Sequence, residues 1–410
     1  MAYKTGKANG YKDMLLALKG FLENAKKAYN CQPGSNTGDG YVSAERASTS
    51  PVDETWTLTA TSSTNFTVTG SVSGSQAAAT VGTPYDNGIV AFTIIQGSIQ
   101  FVSGDSFTFQ VADGLGTTEK WTVKSWDTDW NGNGDYELII MAPGSSGEDE
   151  IYVGIQTYFN AGGDYYNWRL QGYTGYSTQA DFGTQPGAIP DLSTNRTPSI
   201  LLWDNELDYW LVANGRRYVL VVKVSTVYEL AYQGFLMPYG LPNQIPYPIA
   251  VGGTCPAEDA DQKRWSSIDY LHRAFFDPAG DVYTNHSTLK ILHGSWLGVN
   301  NWQSETVWNV SGLNVWPYMH SDYSSSPYFP PNRHWAALEM NLDGSYPLFP
   351  IIICGDSPHK NFYGEFQGLF AVPGEQIAAE DKITISGTDY IVFQNCFRTS
   401  PNDYCALKLE

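Results

Sequence analysis

The sequence predicts a mainly β protein, built from β-sandwich or barrel-like modules with a short N-terminal α-helix and an irregular aromatic-rich module. Three observations predict it. Short runs alternate apolar and polar residues, as in Phe66-Thr67-Val68-Thr69 and Phe107-Thr108-Phe109-Gln110-Val111. A period of two is the mark of a strand buried on one face. Glycines at positions 70, 74, 82, 97 and 104 fall between such runs, the punctuation of sandwiches and barrels. Finally, 40 Gly and 22 Pro in 410 residues interrupt the chain too often for long helices.

The elements follow in order. Met14, Leu15, Leu18, Phe21, Leu22 and Ala25 recur every three or four residues, which puts them on one helical face and predicts a helix over 11–29. Asp13 near its start and Lys26 and Lys27 near its end suit the helix dipole. Its apolar face either packs on the following domain or docks a partner subunit. Residues 54–125 read as strands, including a more continuous apolar run over 89–95. Asp86-Asn87-Gly88 signals a tight turn. Strands are expected again over 136–141, 151–158, 200–203 and 207–213. Asn214-Gly215 then turns the chain into a strand over 218–227, the strongest hairpin signal present. Arg216 and Arg217 sit just past that turn, where charge is easily solvated.

Pro238, Pro242, Pro246 and Pro248 fall within a few residues of one another. Proline lacks the ladder donor, so this stretch reads as an extended arm or crossing segment outside a central sheet. Residues 263–348 hold six Trp and five of the six His with weak periodicity. Strands return at 369–372, 382–386 and 390–397, and residues 406–409 are placed to close a sheet. The organisation is therefore 1–50, helix and linker; 51–135, a sandwich-like domain; 136–262, a β-rich domain with the Pro-rich arm; 263–350, the aromatic module; 351–410, strands returning to the β-rich domain.

Charge excludes some functions. There are 23 Lys and Arg against 42 Asp and Glu, a formal net charge of -19, so direct nucleic-acid binding, which needs concentrated cations, is not expected. No apolar run approaches the roughly 20 residues of a membrane-spanning helix. MAYKTGKANG has no apolar segment behind it, so no secretory signal is expected, and the four Asn-x-Ser/Thr sequons carry little meaning. The five cysteines, at 31, 255, 354, 396 and 405, are odd in number and widely spaced, which favours buried free thiols. Cys396 and Cys405 facing each other across a hairpin is the alternative.

Candidate chemistry is thin. Asp127, Asp129, Asn131, Gly132 and Asp135 match five positions of a calcium loop. Position 12 is Leu138, where a bidentate Glu is needed, and an Asx-rich hairpin explains the same residues. His272, His286, His293, His320, His334 and His359 show no zinc spacing. Ser295 lacks the glycines of a nucleophile elbow. Cys354 follows an Ile triplet without a histidine placed beside it. The acid pairs Glu148/Glu150 and Asp204/Glu206 read as solvated strand faces rather than a glycosidase pair. No P-loop or dinucleotide fingerprint is present. The sequence thus nominates no catalytic, cofactor-binding or metal-ligating residue, and no cofactor. The dense aromatics of 164–176 fit a core, a subunit interface or ligand stacking.

Four stretches carry a resemblance. They are FTVTGSVSG with ATVGTPYDNGIVAFTI and GSIQFVSGDSFTF over 66–109, DEIYVGIQTYFNAGGDYYNWRLQGYTGY over 149–176, NGRRYVLVVKVSTVYELAYQGFLMPYGLPNQIPYPIAVGG over 214–253, and GTDYIVFQNCFRTSPNDYCALKLE over 387–410. Together they resemble virion structural proteins of tailed bacteriophages, associated with the tail or its baseplate. The resemblance implies a non-enzymatic virion component, made in the host cytoplasm. It implies partners among other tail or baseplate proteins and copies of itself. Two other functions stay open. One is a glycan-binding module of the tail tip acting through Trp296, Trp302 or Trp316. The other is a polysaccharide hydrolase.

Overall fold

A computed structural model describes residues 2–43, 48–116, 118–144, 150–189, 197–239, 249–256, 263–268, 271–277, 280–281, 286–293, 295–299, 313–317, 344–355, 362–401 and 403–409. The described residues are mainly β with one helix, near the N-terminus, as the periodicity implies. It divides into two compact units, 1–123 with 204–215, and 124–203 with 216–410.

In the first unit, strand Ala2–Asn9 pairs antiparallel with Glu206–Ala213. Lys7 stands opposite Asp208 and reaches its carboxylate at 2.7 Å, and it also binds Glu206. The acidic strand face is therefore answered by a cation across the ladder, not only by water. Gly10, at φ 89, takes the chain from this strand into the helix Gly10–Leu22. A Cβ there would lie 2.6 Å from Asp204 Oδ1, so the position needs glycine on both counts.

The helix stops seven residues short of the expected end. Glu23 closes it through its N–H to the Lys19 carbonyl, and Asn24 turns left-handed at φ 62. Asn24 is held there because its side-chain oxygen accepts the Gly116 N–H at 2.6 Å. Residues Lys27–Pro33 then form a strand. Met14, Leu15, Leu18, Phe21 and Leu22 are buried within the chain itself, each worth about 1.5–3 kcal/mol. The helix face is thus core, which answers the choice between packing and docking.

Two sheets follow. One runs in the order Lys27–Pro33, Ser106–Ala112, Glu54–Ala60, Asn65–Gly70, Gly74–Thr80; the other runs Tyr41–Ser43, Ala91–Ile95, Tyr85–Asp86. Their inner faces share a core that includes Trp56, Leu58, Phe66, Phe92, Ile94 and Phe109. Phe66 and Val68 are buried while Asn65, Thr67 and Thr69 are exposed, the alternation the sequence shows. Phe66 meets Phe101 edge-on at 5.1 Å.

The second unit stacks three β layers. The outer layer runs Glu137–Ala142, Ile151–Asn160, Tyr165–Tyr173, Pro198–Leu202, Cys255–Pro256. The middle layer runs Arg217–Val224, Val227–Phe235, Ile249–Gly252, Leu289–His293, Ser295–Val299. The third runs Leu313–Trp316, Phe349–Gly355, Phe362–Ala371, Tyr404–Lys408, Thr388–Gln394, Lys382–Ile385. The strand expected over 406–409 runs Tyr404–Lys408 and lies inside its sheet rather than closing an edge. Strand Val227–Phe235 is covered on both faces. Gln233 donates to the carbonyls of Gly154 and Gln171 in the outer layer, at 3.1 and 2.8 Å. Tyr232, on the opposite face, packs edge-on against Phe366 of the third at 4.8 Å.

Two expectations change here. The strand predicted over 218–227 is two strands, since Ser225 at φ 57 makes a tight turn closed by Val224 opposite Val227. Arg217 is fully buried, not solvated. It stands opposite Gly234, at φ 121, where a Cβ would lie 2.7 Å from the Arg217 Cα. The missing side chain lets the buried strand approach. Arg216 instead lies over the Phe235 ring at 5.0 Å. The aromatic run of 164–176 is partly core, with Trp168 and Tyr173 buried and the Tyr173 hydroxyl donating to the Phe182 carbonyl at 2.9 Å. Most of the Pro-rich arm, at 240–248, lies outside the described residues.

Asp105 offers a test of the first unit. Its carboxylate accepts the backbone N–H groups of Thr37, Gly38 and Val102 at 2.8, 2.9 and 3.0 Å. Burial works to raise its pKa, but these three donors prevail and hold it below the usual carboxylate range. A depressed folded pKa gives stability that is present above the unfolded pKa of about 3.9 and lost as pH falls through the folded value. Asp105→Ala should cost about 1–3 kcal/mol in urea unfolding at neutral pH, and the deficit should shrink as the pH is lowered through that range.

Candidate functional site

Glu229, His272 and Cys396 meet inside the second unit, with one ligand-type atom of each within 4.8 Å of the others. All three side chains are fully buried. Glu229 is placed by the middle-layer strand Val227–Phe235, on the face shared with Gln233. One carboxylate oxygen, Oε2, accepts the Leu201 N–H at 3.0 Å and the Thr254 hydroxyl. The other, Oε1, faces His272 Nε2 at 2.7 Å.

His272 lies on an irregular segment, 271–277, that is sewn to the chain following strand Thr388–Gln394. Asn395 accepts the N–H groups of Ala274 and Cys396 at 2.7 and 2.9 Å and donates to Asp277 at 2.8 Å. Arg398 donates to the carbonyls of His272 and Cys396 at 2.9 and 2.8 Å. Phe397 turns left-handed at φ 55 and sets its ring edge-on to His272 at 5.3 Å. The Cys396 thiol donates to the Tyr228 carbonyl at 3.3 Å. Three sequence-distant segments are thereby fixed around one buried point.

The proton count follows from the partners. His272 Nδ1 sits 2.9 Å from the Ser267 carbonyl, which can only accept, so Nδ1 carries a proton. Nε2 then faces a carboxylate that is accepting on its other oxygen. Two acceptors do not stand 2.7 Å apart without a proton or a metal ion between them. In the metal-free chain that species is a second imidazole proton. Burial alone would favour neutral imidazole, but the Glu229 charge outweighs it and holds the His272 pKa well above the ordinary range. Burial pushes the Cys396 thiol up, so it is a poor nucleophile as it stands.

Other sequence candidates resolve differently. In the 127–135 loop, Asp127 and Asp129 accept backbone N–H groups of Asp129 and Gly134. The buried Asp135 accepts from Thr157 Oγ1 at 3.1 Å and from Asn131 at 2.8 Å. The carboxylates thus serve their own turn, as an Asx-rich hairpin requires. Cys31, Cys255, Cys396 and Cys405 are buried and in no disulfide; Cys405 stands opposite Phe393 in the ladder, so Cys396 does not pair with it. His286, His293, Ser295 and Cys354 fall on strands, but their side chains lie outside the described residues, as do His320, His334, His359 and Glu148 altogether.

No protein-family model matches the sequence, and no curated protein is significantly similar to it. Among the described residues no helix is long and apolar enough to cross a membrane.

Removing either member of the buried ion pair strands the other. Glu229→Gln and His272→Ala should each destabilise the second unit by about 3–5 kcal/mol. The double variant should lose clearly less than the sum. Denaturant unfolding of the four proteins checks this.

Proposed function

We propose that the chain is a structural subunit of a bacteriophage tail, at the distal tail or baseplate, working through protein–protein interfaces. One observation carries the structural over the catalytic part of this reading. The best-equipped cluster of reactive side chains among the described residues is closed in the core, where it ties three segments together. The virion part rests on the sequence segments that resemble tail proteins. The most specific of these, 214–253, supplies the strands Arg217–Val224, Val227–Phe235 and Ile249–Gly252 at the centre of the second unit. The likeness is therefore carried by the buried layer that fixes the architecture.

This role needs partners among other tail proteins and copies of the same chain. A low charged fraction, 16% against the roughly 25% of ordinary globular proteins, suits surfaces covered in a permanent assembly. Mass spectrometry of purified particles should find the chain in stoichiometric amounts, and a cryo-EM map should place it in the tail with defined symmetry. A chain absent from particles, and monomeric when purified, would count decisively against this role.

A further inference from the structure

We propose that Glu229, His272 and Cys396 form a structural zinc(II) site that clamps the layers of the second unit. The donor set suits the ion. Zinc takes thiolate sulfur, imidazole nitrogen and carboxylate oxygen together, whereas calcium and magnesium take oxygen alone.

The surroundings suit it as well. A zinc-bound histidine characteristically donates its other ring N–H to a carbonyl or carboxylate, which fixes the tautomer and aims the free nitrogen. His272 does this through Nδ1 to the Ser267 carbonyl. A ligating carboxylate is itself held by hydrogen bonds, and Glu229 is held by Leu201 and Thr254. Arg398 and Asn395 fix the backbone that presents the sulfur. Each donor therefore has a support that leaves its ligand atom directed at the common centre.

The distances are near those needed. Bonds of about 2.0 Å to nitrogen and oxygen and about 2.3 Å to sulfur put tetrahedral donors roughly 3.3–3.6 Å apart. The three donors stand within 4.8 Å, with Nε2 and Oε1 at 2.7 Å. Entry of the ion asks the imidazole and carboxylate to part by about half an ångström and the sulfur to move inward. Among the described residues no fourth Cys, His, Asp or Glu joins the group.

The exchange balances. The metal-free centre holds one imidazolium, one neutral thiol and one carboxylate, with net charge zero. Zinc displaces the Nε2 proton and the thiol proton, forming Zn–N, Zn–S and Zn–O bonds and releasing two protons. The product, with imidazole, thiolate and carboxylate bound to the ion, is again neutral. A neutral complex is what a fully buried centre tolerates.

The experiment uses the full chain, unfolded in guanidinium with chelator and refolded with zinc, with cobalt(II) or without metal. Zinc-refolded protein should retain about one ion per chain by elemental analysis after dialysis against chelator. Cobalt-refolded protein should show a thiolate charge-transfer band with intense tetrahedral d–d absorption. Cys396→Ser should abolish the charge-transfer band and lower zinc affinity by at least about tenfold, while Cys405→Ser should keep both. Because substitution of a buried ligand can prevent folding, the wild type alone also decides. Refolding with zinc should release about two protons per chain more than refolding without metal, measured in weakly buffered solution, and that difference supports the site. Wild-type protein that folds equally well in chelator and in zinc, and holds no ion, overturns it.

Discussion

Strand Val227–Phe235 has no face to water, and the second unit is organised around that constraint. A strand in the middle of three layers can be apolar throughout, or it can carry polar groups whose every partner is built into the protein. This strand carries Glu229 and Gln233 on one face. Gln233 is met by two carbonyls of the outer layer, and its side-chain oxygen by the Tyr218 hydroxyl. Glu229 needs a charge as well as hydrogen bonds, and His272 supplies it. The irregular segment 271–277 and the chain after Thr388–Gln394 are ordered in answer to that need. A polar centre of this kind fixes layer position more sharply than apolar contact does, because apolar faces slide at little cost while a stranded charge does not.

The first unit uses the same logic at smaller scale. Its sandwich core is apolar and aromatic, and its irregular parts are pinned by carboxylates. Asp105 gathers three backbone donors from two loops. Asp39 accepts the Ile99 N–H at 2.7 Å and the Ser98 hydroxyl at 2.5 Å. Many of the acidic side chains that make the sequence look poorly balanced are thus engaged as acceptors for turns, for the Lys7 ladder contact, or for the buried histidine.

Local pattern made much of the fold legible. The alternating strands at 65–70 and 106–112 and the apolar face of the helix all have physical causes within a few residues. Failures occurred where a distant group decided the outcome. The helix ends at Leu22 because Asn24 is captured by Gly116, which no short window reveals. Ser225 turns the chain without glycine, proline or asparagine to announce it. Arg217 is buried in a strand that stands against the bare Cα of Gly234, a pairing no local pattern announces. The site was illegible for the same reason in stronger form. Glu229 and His272 are 43 residues apart, and Cys396 meets Tyr228 across 168. Neither spacing matches any local ligand motif.

The strand Tyr404–Lys408 lies between Phe362–Ala371 and Thr388–Gln394, so a late segment occupies an interior place in its sheet. During synthesis this sheet must wait with a gap until those residues leave the ribosome, and Cys396 arrives almost as late. Strand Ala2–Asn9 waits likewise for Glu206–Ala213, some two hundred residues on. Pairing in these sheets therefore waits for residues far along the chain, with unpaired strand edges exposed meanwhile. Such a chain has reason to depend on chaperones at birth, and truncated products of it would be prone to aggregate rather than to assemble.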